Sequence, residues 1–212
     1  MTRPADRLSL VVPVKRVENA KTRLGLDAES RASLAVAMAV DTVAAALDCA
    51  LVTGVVVVTD DARARKALER FDVRIVPDAP DAGLNAALEH GVAVAGPGHV
   101  GALASDLPAL RPEDLEVVLS KAADHALSVV GDLSGTGTTL LCARSAADFA
   151  PRFGIASLAA HVAAGAVDLT DLAPESVRRD VDTVDALSGV VDLGVGEATR
   201  AALSNLPVAE GL

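Results

Sequence analysis

Four basic residues follow the first apolar run of the sequence, and they are the first side chains that could do chemistry. The run over residues 8–12 has the length of a buried strand and ends at Pro13. The chain has a formal net charge of -10, so a cluster of cations is unusual for its acidic composition. Lysine carries a compact, mobile charge that suits a phosphate group. We expect an anion site here rather than a solvated basic loop, formed by Lys15, Arg16, Lys21 and Arg23.

Aspartates recur just after predicted strands, where the strands of a parallel sheet converge on one crevice. Asp106 is the most specific case, because it follows an apolar strand and Pro108 fixes the turn after it. Mg²⁺ takes one or two protein carboxylates, with phosphates and water as its other ligands. Asp106 with either Asp180 or Asp182 would satisfy that need. The alternative for such an aspartate is to cap the next helix, which we favour for Asp60 and Asp61. Asp132 also follows a predicted strand.

The loop over residues 135–139 reads Gly-Thr-Gly-Thr-Thr and offers backbone N–H groups and hydroxyls to an anion. The sequence contains no GxxxxGK[ST] motif, no GxGxxG after a strand and no GxSxG, which disfavours P-loop, dinucleotide-binding and serine hydrolase classes. Together these features suggest a nucleotide phosphate held by the basic loop and by metal on carboxylates. The electrostatics suit attack on an α-phosphorus with pyrophosphate leaving, without a covalent enzyme intermediate.

Composition excludes several other classes. The acidic balance and the near absence of aromatic residues, with three Phe and no Tyr or Trp, argue against nucleic acid as a partner. Cys49 and Cys142 form no disulfide framework or zinc motif. The absence of a signal-peptide pattern and of a membrane-length apolar run leads us to expect a cytoplasmic protein. We expect the histidines to be surface or boundary residues; they are His90, His99, His125 and His161.

Strand and helix patterns alternate in the first half of the chain, which predicts a parallel sheet with right-handed crossovers. Helices are predicted over 28–47 with Asp27 as cap, 62–70, 84–95, 112–125, 156–164 and from Thr183 onward. Further strands are predicted over 55–59, 73–76, 100–104, 127–130 and 139–143, with an extended stretch over 177–181.

Several motifs in this order resemble the phosphoenolpyruvate or 2-phospho-L-lactate guanylyltransferase family of deazaflavin coenzyme F-420 biosynthesis. The resemblance spans nearly the whole chain. It rests on residues 13–16 (PVKR), 20–24 (AKTRL), 83–88 (GLNAAL), 105–108 (SDLP), 135–139 (GTGTT), 152–154 (RFG) and 180–183 (DVDT).

The resemblance implies an α/β, single-domain, three-layer fold of the nucleotide-diphospho-sugar-transferase type, with a mixed, mostly parallel sheet flanked by helices. Residues 1–110 would form a GTP-binding half, and residues 111–212 would bind the acid substrate. The reaction would join GMP from GTP to a phosphorylated three-carbon acid and release pyrophosphate, with Mg²⁺ as cofactor. A homodimer is the assembly that we expect.

Site roles follow from the same resemblance. Lys15, Lys21 and Arg23 would face the triphosphate and, with Asp106, form the catalytic group. Asp106 and Asp182, with Asp180 as the alternative, would hold the metal. The nucleotide would lie against Pro13, Val14, Lys15, Gly83, Leu84 and Asn85, and the acid against Thr136, Gly137, Thr138, Gly154 and Ser157.

The sequence departs from the family pattern at two turns. A second glycine or another small residue is expected before Ser157, whereas the chain reads Gly-Ile-Ala-Ser over 154–157, so we expect a stiffer turn. The stretch before Gly83 is also less rich in glycine than expected.

Several alternatives stay open at this point. The protein could instead be another nucleotidyltransferase of the same fold that acts on a cofactor or sugar, or a non-catalytic nucleotide-binding regulator. The acid could be phosphoenolpyruvate, 2-phospho-L-lactate or 3-phosphoglycerate, which differ by groups that a pocket discriminates only modestly. We favour phosphoenolpyruvate, because the composition resembles that of GC-rich actinobacteria.

Overall fold

A seven-stranded mixed sheet runs through the middle of the molecule, in a computed structural model that describes residues 7–15 and 24–206. Three of the predicted anion-binding residues, Arg16, Lys21 and Arg23, lie outside the described residues. The strands are β1 (Leu8–Pro13), β2 (Val52–Val58), β3 (Arg74–Val76), β4 (Val100–Leu103), β5 (Leu127–Gly131), β6 (Thr138–Ala143) and β7 (Val167–Asp168). Their order across the sheet is β3-β2-β1-β4-β6-β5-β7.

The sheet is parallel in its first half and mixed in its second. Strands β1 to β4 pair in parallel, with Val11 opposite both Val56 and Ala102. Strand β6 runs antiparallel between β4 and β5, and β7 joins the edge parallel to β5. The expectation of a mixed, mostly parallel sheet is therefore confirmed, whereas an all-parallel sheet holds only for the first four strands. Strands β1 and β2 are rich in valine and leucine because both of their faces are covered.

Helices cover both faces of the sheet and make three layers. Helices α1, α2 and α4 pack with Leu10 and Val57 on one face, and α3 packs with Val11 and Val56 on the other. A third cluster joins α1 to α7 and α8 through Met38. The helices are α1 (Ala28–Asp48), α2 (Ala62–Leu68), α3 (Leu84–Ala95), α4 (Pro112–Ala122), α5 (Ser157–Ala163), α6 (Glu175–Arg178), α7 (Val184–Leu193) and α8 (Glu197–Ser204).

Aspartates cap the first two helices as the sequence predicts. Asp27 accepts hydrogen bonds from the N–H groups of Glu29 and Ser30 at the start of α1. Asp61 does the same for Arg63 and Ala64 at the start of α2. These carboxylates satisfy N–H groups that have no partner within the helix.

Helix α8 is capped from another part of the chain. Gly196 precedes it and has no side chain to offer, so Asp41 of α1 accepts hydrogen bonds from Ala198 N–H at 3.0 Å and Thr199 N–H at 2.7 Å. A Cβ atom on Gly196 would collide with the Asp41 carboxylate. The last helix is thereby fixed to the first.

Two local predictions were wrong. The stretch 177–181, expected to be extended, begins inside α6 and leaves the helix only after Arg178. Strand β7 was missed because it has two residues, both exposed, and carries no apolar pattern. The other predicted helices and strands are present, with ends that differ by a few residues.

Helix α1 is the one helix in the described ranges that is long and apolar enough to span a membrane by length and composition. Its apolar residues are those of a core helix, since Leu34, Met38 and Val43 are completely buried against the sheet and its neighbours.

Candidate active site

A crevice of about 380 Å³ opens at the carboxyl ends of β1 and β4. From β1 the strand order runs to β2 and β3 on one side and to β4 on the other, and such a reversal of strand order is where open α/β sheets bind ligands. Pro13, Val14 and Lys15 form the wall after β1, and Asp106 belongs to the wall after β4. The crevice therefore brings a cation and a carboxylate from two distant parts of the chain to one place.

The loop that carries Asp106 is held by a buried threonine of α1. Thr42 Oγ1 accepts a hydrogen bond from Leu107 N–H at 3.1 Å and lies 3.3 Å from the carbonyl oxygen of Ser105. Thr42 is completely buried, as is Leu107. These contacts on both sides of Asp106 fix the backbone from which its carboxylate projects.

The segment that carries Asp180 and Asp182 is attached directly to this loop. Val181 donates its N–H to the carbonyl oxygen of Asp106 at 3.2 Å, and its side chain is completely buried beside Met38. Val181 thus anchors this segment in the core between the two aspartates. Asp180 and Asp182 both line the crevice with Asp106.

The donor set of this crevice is carboxylate oxygen. In the described part of the chain no group of three or more His, Cys, Asp or Glu side chains is arranged to hold a metal ion by itself. A metal here would need further ligands from a substrate or water, as Mg²⁺ usually does.

A second lobe of about 340 Å³ adjoins the crevice and shares Pro13, Val14, Lys15 and Leu84 with it. Its outer wall contains Gly83, which adopts a positive φ of 96° at the start of α3. It also contains Asp60, which accepts a hydrogen bond from Asp78 N–H rather than capping a helix. Lys15 lies at the junction of the two lobes.

The Gly-Thr loop is organised around Asp132. Its carboxylate accepts hydrogen bonds from Thr136 N–H at 2.9 Å and from the hydroxyl of Ser134. A Cβ atom on Gly137 would come within 2.6 Å of this carboxylate, so glycine is required there for close approach. Asp132 therefore holds the loop closed, while Thr138 at the base of the loop lines the crevice.

Asn85 joins the start of α3 to the loop before α5. Its side-chain oxygen accepts from Phe153 N–H at 2.8 Å, and its side-chain nitrogen donates to the Phe153 carbonyl at 3.1 Å. The Phe153 ring lines the crevice. The structure thus gives Asn85 a partner in the second half of the chain that the sequence did not indicate.

His161 is buried, contrary to the prediction that it is a surface or boundary residue. Its Nδ1 atom lies 3.1 Å from Thr138 Oγ1, and its Nε2 atom accepts from Arg152 N–H at 2.8 Å. The ring also makes an edge contact with Phe153. Burial, together with the positive charge of Arg152, lowers the pKa of His161. Ser157 donates to the same Thr138 oxygen at 3.0 Å.

The turn before α5 has a strained backbone, and its expected stiffness stays a prediction. Gly154 has a φ of 143°, and Ala156 adopts the left-handed conformation with a φ of 53°. For a residue with a Cβ atom this conformation costs about 1 kcal/mol or more. Ile155, between them, is fully exposed.

The structure thus brings most of the candidate residues into one region. Gly83 lines only the second lobe, and Asn85, Thr136, Gly137, Gly154 and Ser157 line neither lobe, although Ser157 and Asn85 contact residues that do. Thr42, Phe153 and His161 were missed as supports, because only three-dimensional contact reveals them. The candidate residues that line the crevice are Pro13, Val14, Lys15, Leu84, Asp106, Thr138, Asp180 and Asp182.

Comparison with solved structures assigns the fold to the nucleotidyltransferases. A nucleotide-diphospho-sugar transferase from Desulfovibrio desulfuricans superimposes with a TM-score of 0.63 at 19% identity, over 92% of this chain and 93% of that one. A nucleotidyl transferase from Methanothermobacter gives 0.59 at 22% identity, over 88% and 96%. A Mycobacterium tuberculosis protein solved with manganese gives 0.54 at 19% identity, over 88% and 98%.

Sequence comparison then gives the family. The model described as "Guanylyl transferase CofC like" matches residues 8–208, and the chain belongs to this family. A phosphoenolpyruvate guanylyltransferase from Thermomonospora curvata is 48% identical over 204 residues, which cover 94% of this chain and 90% of that protein. One from Geodermatophilus obscurus is 50% identical over 202 residues, covering 92% and 93%.

Proposed function

We propose that this protein transfers GMP from GTP to phosphoenolpyruvate and releases pyrophosphate, as a step of deazaflavin coenzyme F-420 biosynthesis. The observation that carries the proposal is family membership over nearly the whole chain. Relatives named phosphoenolpyruvate guanylyltransferase, with 48% and 50% sequence identity to this chain, support it. Such identity over at least nine-tenths of both chains supports a shared reaction as well as a shared fold.

The two lobes suit the two substrates. The nucleotide would occupy the lobe bounded by Gly83 and Leu84, and the acid would occupy the crevice beside Thr138. Lys15 lies at their junction, where an oxygen of the acid's phosphate must meet the α-phosphorus of GTP. Residues 1–110 would then supply most of the nucleotide site and residues 111–212 most of the acid site, with Asp180 and Asp182 closing the crevice from the second half.

In the reaction a phosphate oxygen of the acid forms a bond to the α-phosphorus, and the bond from that phosphorus to the oxygen of the β-phosphate breaks. The leaving pyrophosphate keeps the electron pair. Lys15 neutralises charge on the triphosphate as its ammonium group contacts phosphate oxygens, and Lys21 and Arg23 would add to this field. Asn85 holds the Phe153 wall beside the acid. Thr136, Gly137, Gly154 and Ser157 shape the turns around the acid.

The crevice fits a divalent metal such as Mg²⁺. Three carboxylates facing two anionic substrates would repel them unless cations intervene, and carboxylate oxygens are the ligands that hard divalent cations prefer. Asp106 and Asp182 would hold the ion, with Asp180 as the alternative. When bound, such an ion supplies charge neutralisation at phosphate oxygens. The manganese complex of the Mycobacterium tuberculosis protein of this fold supports the same choice of ligand chemistry.

The decisive experiment offers GTP and Mg²⁺ with each acid separately and follows pyrophosphate release and product mass. We expect release with phosphoenolpyruvate, little without an acceptor, and a product whose mass is that of the acid plus GMP. Preference for 2-phospho-L-lactate or 3-phosphoglycerate would change the acid but keep the reaction. Pyrophosphate release at the same rate without acceptor, or transfer only to a sugar or cofactor, would contradict the proposal.

A cytoplasmic location follows from the proposal, because its substrates are cytoplasmic metabolites. The homodimer stays a prediction, which light scattering of the purified protein at several concentrations would check.

A further inference from the structure

His161 is in the second half of the chain, on α5, and none of the sequence motifs contains it. It is completely buried, and both of its ring nitrogens have a partner within the protein. The ring nitrogen that carries the proton decides to which of these partners His161 can donate.

The contact with Arg152 fixes which ring nitrogen carries the proton. A backbone N–H can only donate, so the Nε2 atom that receives it at 2.8 Å must present a lone pair. In a neutral imidazole the proton is then on Nδ1. The pKa of His161 is lowered by burial and by the charge of Arg152, which keeps the ring neutral. Nδ1–H therefore faces Thr138 Oγ1, 3.1 Å away, as a donor, and the backbone of Ser157, whose hydrogen bond raises the pKa of the ring, is a second acceptor.

The hydrogen-bond partners of Thr138 fix the direction of its hydroxyl proton in the same way. A hydroxyl oxygen has two lone pairs and one proton. Ser157 donates to this oxygen at 3.0 Å, and His161 donates to it at 3.1 Å, so both lone pairs are occupied. The hydroxyl proton must point in the remaining direction, and no acceptor for it is found in the ranges 7–15 and 24–206. Thr138 lines the crevice beside Asp106.

We propose that His161 is a positioning residue, which together with Ser157 fixes the hydroxyl of Thr138 as a hydrogen-bond donor toward an oxyanion of the acid substrate. The inference rests on the proposed function for the identity of that oxyanion. Without His161 the hydroxyl can rotate and present a lone pair to the anion, which replaces attraction by repulsion. His161 thus acts on substrate binding through Thr138 and makes no contact with substrate itself.

The first test needs no variant and no turnover. Nitrogen-15 NMR of the imidazole in the substrate-free protein should show His161 neutral, with the proton on Nδ1 and a bare Nε2. A proton on Nε2, or a charged ring at pH 7, would overturn the inference. This result is independent of which reaction the protein catalyses.

The second test is a double-mutant cycle between His161→Leu and Thr138→Val, with pyrophosphate release as the assay. One hydrogen bond to a charged group corresponds to about tenfold or more in affinity. We expect each single variant to raise KM for phosphoenolpyruvate about tenfold while KM for GTP stays within about twofold. The double variant should be no worse than Thr138→Val alone, because His161 acts through that hydroxyl.

The control is His125→Leu, which removes a partly exposed histidine just before the amino-terminal end of β5, the end of that strand away from the crevice. It should leave KM for the acid unchanged. Additive effects in the cycle, or an equal rise in KM for GTP, would indicate a general structural role and contradict the inference while leaving the proposed reaction intact. Absence of turnover in the wild type with any acid would instead contradict the reaction, and the NMR result would still decide the state of His161.

Discussion

At the level of single residues, Asp106 has the most demanding position. We expect Asp106→Asn to lower kcat by about 100-fold or more, because losing even an indirect support of a metal ligand costs about 10–100-fold. The fold should be retained, since Thr42 and Val181 hold the backbone of this loop rather than its carboxylate. Steady-state kinetics and a GTP-binding titration would check the prediction.

The matched control is Asp72→Asn, which changes an exposed aspartate at the amino-terminal edge of the sheet, just before β3. It should behave as the wild type. Unchanged turnover in Asp106→Asn would show that this carboxylate is not needed for the reaction, whereas GTP binding without turnover in the wild type would favour a nucleotide-binding regulator.

The same scale gives a pH prediction for His161. Its pKa is lower in the folded protein than in the unfolded chain, because burial disfavours the charged ring. The unfolded chain therefore takes up a proton first as the pH falls, and stability that is present above the unfolded pKa near 6.5 is lost below it. Urea unfolding at pH 7.5 and 5.5 should show a larger loss for the wild type than for His161→Leu. Equal losses would contradict this assignment.

At the level of elements, the cap of α8 can be tested directly. Asp41→Ala should lower the free energy of unfolding by about 1–2 kcal/mol, because two N–H groups at the start of α8 lose their acceptor. Urea unfolding followed by circular dichroism would measure it. Asp48→Ala, on the exposed end of the same helix, is the control and should change stability by less than about 0.5 kcal/mol. A similar effect of both changes would mean that charge, rather than capping, is responsible.

The regular elements were also the part of the fold that the sequence predicted best. Helix α3 begins and ends where predicted, because Gly83 precedes it and Gly96 follows it, both with positive φ. Val177 and Arg178 were misjudged since a four-residue helix carries too little periodicity to recognise. The antiparallel insertion of β6 between β4 and β5 was not predictable from local pattern either, because pairing partners are set by packing between distant segments.

The candidate site likewise contains residues that the sequence predicted and residues that it did not. Lys15, Asp106 and Thr138 could be found because each follows or begins a strand at the functional edge of the sheet. Thr42 and His161 could not be found, since a polar residue on a buried helix face gives no signal until its partners are known. Residues 16–23 lie outside the described ranges, so the roles assigned to them stay predictions.

At the level of the whole molecule, both cysteines report on global opening. Cys49 and Cys142 are buried, free thiols, and burial raises the pKa of Cys142 to about 12. Only the thiolate is a good nucleophile. Native protein should react with a disulfide reagent at least about 1,000-fold more slowly than unfolded protein, as expected when reaction requires an opening that costs about 5 kcal/mol. Counting reacted thiols over time with and without urea would check this. Rapid labelling of either thiol in the native state would show a local opening instead.

The backbone hydrogen bond from Val181 to Asp106 affects when the site can form during synthesis of the chain. Strands β1 to β6 are all encoded before residue 144, so the central sheet can assemble while the last third of the polypeptide is still being translated. The two late aspartates reach the crevice only when that final portion has emerged and docked. Premature termination or proteolytic trimming ahead of Asp180 would therefore leave a sheet without its complete set of carboxylates, and activity would require translation at least as far as Asp182.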